Sequence, residues 1–567
     1  MKKSKIRKNS IVMNIPRYKV IVPCIMCAYM IMAMFVVGID HKSLMLGVAA
    51  ICMVLWFVGE RIFPDRIYSD SVNSHNKYIY IFMGIFILMA VVSEILAKDY
   101  SDSNLIGEHD SLIAMLSYIV FFYMGYRYCY MDDIQKLLRY AVLIIAVITA
   151  IMSIVEFLDI SVATWWAGDL ASRNRVVLTF GNSNYYGAFC CMLIPFIMEM
   201  WIHSSGKIER TILIGLNGCL VCCVVMSKST MAVYLMAFIV VALCIYECKA
   251  ILKKWMSLVG FVGVTVLAIV ILNICSDGKM LELIKISAGN TDAFVEEEQE
   301  IYDVKDIHLD GNKLVIEGND SSFIMEYDGQ FTFYDGDGNI LDIENNGNIV
   351  TFTEKPYDTI AVQASFNQNV GMLYIEIDAG YKETIDFYIS NDKFKGVGAD
   401  GGAVDDISGE YKDLEISSLF TGRGYIWVNT LSMLDEVVLI GKGCGNFVYN
   451  FKQYDYVGLL KSQGTHNVII DRPHNMFLQY SIDIGMVGTV ALFVLIAYVI
   501  IGWIKQRVKS GRDNNVLSVG SFVSVVGFMV FSLLNDSLVV LSPYMWLFLG
   551  VNMSMQCKTK QIKNTCK

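Results

Sequence analysis

The stretch Tyr78-Ile-Tyr-Ile-Phe-Met-Gly-Ile-Phe-Ile-Leu-Met-Ala-Val-Val-Ser-Glu-Ile-Leu96 carries one charged side chain, Glu94, in 19 residues. Wound as a helix at 1.5 Å per residue it reaches about 29 Å, close to the hydrocarbon thickness of a bilayer, and it offers no face suited to water. Runs of the same kind recur at Val20–Gly38, Leu44–Val58, Leu112–Tyr128, Leu138–Phe157, Tyr185–Ile202, Ile212–Met226, Met231–Tyr246, Trp255–Ile274, Met486–Ile504, Val516–Leu534 and Leu538–Met555. Together they predict a polytopic α-helical membrane protein of about twelve transmembrane helices. The first run is too long and too poorly terminated for a cleaved signal peptide and reads as a signal anchor.

The whole chain agrees with that reading. Its 567 residues are 55% hydrophobic and only 18% charged, with a mean hydropathy of +0.48. Soluble domains run near a quarter charged, so a string of aqueous globules is excluded. None of the 15 cysteines falls between Ser276 and Phe420, and most sit inside apolar runs, which excludes a disulfide-built secreted scaffold. Cys24-x-x-Cys27 and Cys219-x-x-Cys222 have metal-like spacing but neither a histidine nor a second pair beside them, and they read as packing residues.

Charge is strongly divided along the chain. Ser276 to Phe420 holds 31 acidic residues against nine lysines and no arginine, while the remainder is basic overall. Placing Lys2, Lys3, Lys5, Arg7 and Lys8 in the cytoplasm puts Arg61/Arg66/Lys77, Arg127/Lys136/Arg139, Lys207/Arg210, Lys249/Lys253/Lys254 and Lys505/Arg507/Lys509/Arg512 on the same side. Both termini are then cytoplasmic, and residues 276–485 lie outside. Four segments follow: a membrane domain over 1–275 with spans 1 to 9, an acidic β-rich extracytoplasmic insert over 276–420, an extracytoplasmic loop over 421–485, and 486–567 with spans 10 to 12 and a cytoplasmic tail.

The insert reads as strands. Asp310-Gly311-Asn312 separates Ile307/Leu309 from Leu314/Ile316, and Asp335-Gly336-Asp337-Gly338-Asn339 separates Phe331/Phe333 from Ile340/Leu341/Ile343, both hairpin signatures. With the alternation in Thr359–Ser365 and Met372–Asp378 they predict a small β-sandwich from about Ile301 to Ile389. The Asp-rich turn fails the EF-hand template, because Ile340 stands at the glycine position and Asn346 at the closing glutamate.

Polar chemistry gathers in two outside loops. One runs Ser172-Arg173-Asn174-Arg175-Val-Val-Leu-Thr179-Phe180-Gly181-Asn182-Ser183-Asn184, whose arginines suit either a pyrophosphate or lipid headgroups. The other opens with Thr421-Gly-Arg423-Gly-Tyr-Ile-Trp427, an expected amphipathic helix with Trp427, Leu431 and Leu434 on its apolar face and Arg423 beside Trp427. An interfacial Arg/Trp anchor explains that pair equally well. Next comes Gly441-x-Gly443-x-Gly445-Asn-Phe447, which lacks any nucleotide-binding context and reads as a tight turn. Finally Arg472-Pro473-His474-Asn475 precedes an apolar-periodic run, placing His474 at a helix start where the dipole favours a neutral imidazole. His466 is a second histidine that spacing does not separate from it.

Four elements, Arg175-(x)3-Thr-Phe-Gly-Asn-x-Asn184, Gly-Arg423-x-x-x-Trp427, Gly441-x-Gly-x-Gly-Asn-Phe447 and Pro-His474-Asn475 followed by Gly485-x-x-Gly488, stand in the order seen in the O-antigen ligase and O-antigen polymerase superfamily, which the chain resembles. The resemblance in layout covers nearly the whole membrane portion, with the specific motifs confined to residues 173–184 and 421–488. It implies a metal-independent, inverting glycosyltransferase without cofactor. The donor would be an undecaprenyl-pyrophosphate-linked glycan at the outer face of the plasma membrane, and the acceptor a glycan, lipid or wall polymer. It further implies His474 and Arg423 as catalytic residues, and Arg175, Arg173, Trp427, Asn184 and Asn475 as substrate-binding residues. A flippase and a chain-length regulator would be partners, and nucleic acid would not. Two departures are the acidic insert, which is outside the common pattern, and Asp483, where similar proteins often carry glutamate. Ligase and polymerase are not separated by these residues; polymerisation is favoured because it needs no second kind of acceptor. The competing class is a transporter, flippase or sensor with a β-rich ectodomain, against which the spans are nearly free of charge.

Overall fold

A computed structural model describes residues 17–62, 77–97, 110–167, 175–287, 301–319, 321–381, 383–398, 401–407, 409, 422–511 and 515–565. Its main helices are α1 (Ile21–Met32), α2 (Ile39–Ile62), α3 (Lys77–Leu96), α4 (Leu112–Tyr128), α5 (Asp132–Phe157), α6 (Ser183–His203), α7 (Lys207–Met226), α8 (Thr230–Tyr246), α9 (Trp255–Cys275) and α10 (Lys279–Ser287). They continue as α11 (Arg423–Ser432), α12 (Tyr456–Gln463), α13 (Met476–Ser510), α14 (Val516–Phe531) and α15 (Ser542–Thr565). Each of the twelve apolar runs overlaps a helix, although the α-helix of the first run covers only Ile21–Met32 and that of the last begins at Ser542. Among the described residues seven helices, α2, α3, α5, α6, α7, α9 and α13, are long and apolar enough to cross a membrane. The chain divides into two compact units, residues 1–95, 100–290 and 487–567 forming the first and 96–99 with 291–486 the second.

In the first unit, burial follows sequence. The membrane-length window of α6 is wholly buried, whereas only 6% of that of α9 is, although α9 has the higher mean hydropathy, 2.7 against 1.5. Val259, Leu267 and Ile274 of α9 are each more than half exposed. Water would not tolerate such a surface, and a lipid phase would. Close backbone approach joins α4 to α15: a Cβ on Gly550 would lie 2.1 Å from the Phe122 carbonyl, and one on Gly125 2.9 Å from that of Leu547. Trp546 fills the space beside this contact, its ring within 6.3 Å of those of Phe86, Tyr118 and Phe122.

Among its described residues the second unit has eleven strands in two antiparallel sheets. β1 (Asp306–Asp310), β2 (Lys313–Glu317), β3 (Ser322–Tyr327) and β4 (Phe331–Tyr334) form one in that order. The other has the order β11-β10-β9-β8-β7-β6-β5, built from β5 (Ile343–Asn346), β6 (Ile349–Phe352), β7 (Ala361–Asn367), β8 (Met372–Asp378), β9 (Ile385–Ser390), β10 (Lys393–Val397) and β11 (Ala403–Val404). Leu314, Ile316, Phe323 and Met325 of the first sheet share one core with Ile375, Ile377, Phe387 and Phe394 of the second, as alternation requires of a sandwich. The Asp335 turn closes on itself. Asp335 Oδ1 accepts from the N–H groups of Asp337 (3.0 Å) and Asn339 (2.7 Å), and Oδ2 accepts from Asn339 Nδ2 (2.8 Å). The Asn339 side chain and the backbone N–H groups hold the carboxylate below its ordinary range.

The acidic segment is not all strand, because α10 occupies its first residues. Its β core also does not stop at Phe420, since Tyr456, Val457 and Leu460 of α12 lie in it. The Tyr456 hydroxyl accepts from the Val397 N–H (2.6 Å) and points at the carbonyls of Val397 (3.0 Å) and Asp386 (3.1 Å). Leu459, on the other face of α12, joins a second core with Tyr425, Ile426, Phe447, Phe451, Ile470 and Ile482. One helix thus ties the sandwich to the loop that follows it.

Candidate functional site

The first group of polar residues surrounds the loop before α6. Glu156, near the end of α5, is 2% exposed and binds three donors of that region. Its Oε1 accepts from Val177 N–H (2.7 Å), while Oε2 accepts from Leu178 N–H (3.2 Å) and Trp166 Nε1 (2.9 Å). Val176 N–H adds a bond to the Met226 carbonyl (2.9 Å). The loop is therefore rigid before it reaches Gly181 (φ 70°) and the Asn182 cap of α6, whose side chain accepts from Asn184 N–H at 2.8 Å. Asn184 Oδ1 accepts from Ser229 Oγ at 2.6 Å, so this residue braces α6 against the start of α8.

Arg175 lines a recess together with Lys228, Lys279, Glu156, Asp159 and Glu282. Lys279 is paired with Asp159 at 2.6 Å. Arg175 and Lys228 form no ion pair among the described residues, and the Arg175 Nε is buried without a hydrogen bond. Arg173 lies outside the described residues.

Lys42, at the start of α2, is a candidate that the sequence does not announce. It is 2% exposed, donates from Nζ to Thr179 Oγ1 at 2.9 Å and lies 4.9 Å from the centre of the Phe180 ring. Thr179 Oγ1 in turn donates to the Met34 carbonyl (3.2 Å). No carboxylate among the described residues pairs with this ammonium. A buried cation without an anion is costly and is retained where an anion binds or a charge is used. In the sequence it is a lone lysine entering an apolar run at Asp40-His41-Lys42, which looks the same as an ordinary interfacial lysine.

The second group lies in the second unit. Arg423 is the first residue of α11, after Gly422 in the left-handed region (φ 81°). Gln463 Nε2 donates to the Gly422 carbonyl at 3.2 Å and so fixes the helix start against α12. Arg423 is half-buried, and its place in the first turn adds a cation to a helix terminus whose N–H groups already create positive potential. The expected apolar face of α11 is corrected by the structure. Gly424, Tyr425, Ile426 and Thr430 are buried, and Leu431 is 53% exposed. The buried face is set by Asp455, whose carboxylate accepts from the Tyr425 hydroxyl (2.9 Å) and from Gly458 N–H (2.9 Å) and is pushed above its ordinary range by burial.

Trp427, one turn after Arg423, donates from Nε1 to the Pro473 carbonyl at 2.9 Å. This bond joins the helix of Arg423 to the residue preceding His474. His474 is half-buried and left-handed, with φ 52°. That geometry costs a non-glycine residue on the order of 1 kcal/mol and persists only when both sides fix it. Trp427 fixes one side. Asn475 fixes the other by capping α13, its Oδ1 accepting from the N–H groups of Phe477 (2.9 Å) and Leu478 (3.1 Å). His466 is different in kind. It is 4% exposed, makes no hydrogen bond through either ring nitrogen, and packs on Tyr456 with ring centroids 4.3 Å apart. It is a core residue.

Burial pushes His466 below its ordinary range, against smaller upward pulls from Asp386 and Glu383. The folded chain then binds fewer protons than the unfolded chain once pH falls below the unfolded value of about 6.5. Stability is therefore withdrawn as pH drops through that value. His466→Phe is expected to flatten the acid limb of the thermal transition measured from pH 7.5 downward. An unchanged acid limb would rule this histidine out as its source.

Two of the three alternating glycines, Gly441 and Gly443, have a backbone role. Helix α13 is broken at Gly485 (φ 80°, ψ 161°), so the carbonyls of Ile482 and Asp483 lose their helical partners. They accept instead from Lys442 N–H (2.7 Å) and Gly443 N–H (3.0 Å). A Cβ on Gly441 would lie 2.3 Å from the Asp483 carbonyl oxygen, and one on Gly485 2.6 Å from that of Leu439. Gly441→Ala is expected to open this splint and cost about 2 kcal/mol or more. Proteolysis of the 439–485 segment would report it, and a wild-type cleavage pattern would refute the splint.

Compared with known proteins, the chain matches no family model, no curated protein and no solved structure.

Proposed function

We propose that this protein is a membrane glycosyltransferase. In this reading it has about twelve crossings and cytoplasmic termini, and residues 276–485 lie outside the plasma membrane. It transfers a glycan from an undecaprenyl-pyrophosphate carrier to an acceptor hydroxyl. The acceptor oxygen attacks the anomeric carbon, its proton passes to His474, and the bond from that carbon to the pyrophosphate breaks with inversion. Arg423 holds the charge that develops on the departing pyrophosphate. Arg175 and Lys42, near the Thr179-Phe180 loop, are cations that suit a phosphate group. Trp427 and Asn475 keep Arg423 and His474 in position.

The observation that supports this most is the Trp427–Pro473 hydrogen bond. It makes one constellation of two motifs 46 residues apart, the two to which the resemblance assigns leaving-group and base roles. We favour polymerisation of a lipid-linked repeat unit over ligation to a different acceptor, with a flippase and a chain-length regulator as partners. The broken helix α13 differs from an open transporter site, since its freed carbonyls are bonded by Lys442 and Gly443 rather than left for a substrate.

The carrier product tests the reading directly. Undecaprenyl pyrophosphate is expected to raise the unfolding temperature of the detergent-solubilised protein, and Lys42→Met to weaken that binding about tenfold or more. Equal shifts with undecaprenol, which lacks the phosphates, would contradict it.

A further inference from the structure

A second cluster of chemistry-bearing side chains lies at the end of α6 remote from the Asn182 cap. Glu199 and His203, one helical turn apart on α6, meet Glu247, which follows the last residue of α8. One ligand atom from each lies within 4.8 Å of the other two. Glu199 is 0% and Glu247 1% exposed. The Nε2 of His203 is buried, stands 3.4 Å from Glu199 Oε2 and makes no hydrogen bond. With 21 residues in α6, about 30 Å of helix separates this cluster from the Asn182 cap.

Two cations are near. Lys254 donates to the Ile202 and Ser204 carbonyls, and Arg210 to Ser204 O and Oγ (3.2 and 3.4 Å). Both are thereby engaged in closing the C-terminal carbonyls of α6. His203 also lines an open cleft with Arg139, Met200, Ser204 and Glu209, which gives the cluster an entry path and a place for water.

We propose that Glu199, His203 and Glu247 bind one divalent first-row transition cation. Two carboxylates and an imidazole, with no thiolate among them, suit Zn2+ or Mn2+, and three protein ligands leave a position for water from the cleft. The cation neutralises two carboxylates that are close and buried, and it fastens the end of α6 to the end of α8. The proposal is independent of glycosyl transfer, whose residues lie elsewhere.

The test uses the full-length protein in detergent, stripped with a chelator, reloaded with Zn2+ and washed. Elemental analysis is expected to find about one zinc per chain, with a raised unfolding temperature, and His203→Ala and Glu247→Gln each to lower affinity about tenfold or more. X-ray absorption of the wild type is expected to show a nitrogen and oxygen shell at about 2.0–2.1 Å with imidazole scattering. This readout stands even if the variants do not fold. The proposal is overturned if the wild type retains no zinc, if both variants bind as it does, or if sulfur at about 2.3 Å shows that cysteines hold the metal.

Discussion

Membranes containing His474→Ala protein are expected to transfer glycan about 10²–10⁴-fold more slowly than wild type, the usual loss when a general base is removed. The expectation rests on position. His474 is half-buried and held in a left-handed conformation by a clasp on one side and a helix cap on the other. His466, the alternative base, is sealed in a core against Tyr456. His474→Asn separates chemistry from backbone, because asparagine tolerates positive φ better than most residues. It should insert and fold as wild type does and still fail to transfer. If His474→Asn is inactive only because the protein is degraded, the base assignment loses its support. If it transfers at the wild-type rate, the assignment is wrong.

Arg423→Ala is expected to lose about 10²–10³-fold in transfer, the scale of one preorganised group stabilising transition-state charge. Lysine should not restore it, since an ammonium lacks the planar fork that engages two phosphate oxygens. Arg175→Ala should show a similar defect. If both arginines serve the same pyrophosphate, the double variant will lose less than the product of the two single losses. Multiplicative losses would mean that they act on different parts of the reaction. Wild-type rates in Arg423→Ala would return Arg423 and Trp427 to the reading of an interfacial anchor.

Much of the fold was legible because apolar length and turn chemistry are local. Each long apolar run overlaps a helix, and Gly311 closed the β1–β2 hairpin as its residues require, whereas the Asp335 turn carries the chain from the first sheet to the second, with a single Tyr334–Ile340 bridge in place of the expected hairpin. What sequence did not reveal depends on partners distant in the chain. The buried face of α11 follows Asp455 rather than the Trp427–Leu431–Leu434 periodicity. Gly441 and Gly443 matter through backbone carbonyls of α13, which no side-chain pattern announces. Helix α10 was hidden by the acidic composition around it. Lys42 became a candidate only once the fold buried it against Thr179 and Phe180. For the site, spacing indicated which polar residues to consider, and burial then separated His474 from His466.

The most direct test is to mix the purified wild-type protein with an undecaprenyl-pyrophosphate-linked repeat unit and follow both the glycan and the carrier. Glycan chains are expected to lengthen with the lipid-linked unit alone, one undecaprenyl pyrophosphate being released for each bond formed. Release only after a different acceptor is added would make the enzyme a ligase. A folded protein that leaves every glycan on its carrier, across lipid, glycan and wall-polymer acceptors, would contradict glycosyl transfer itself.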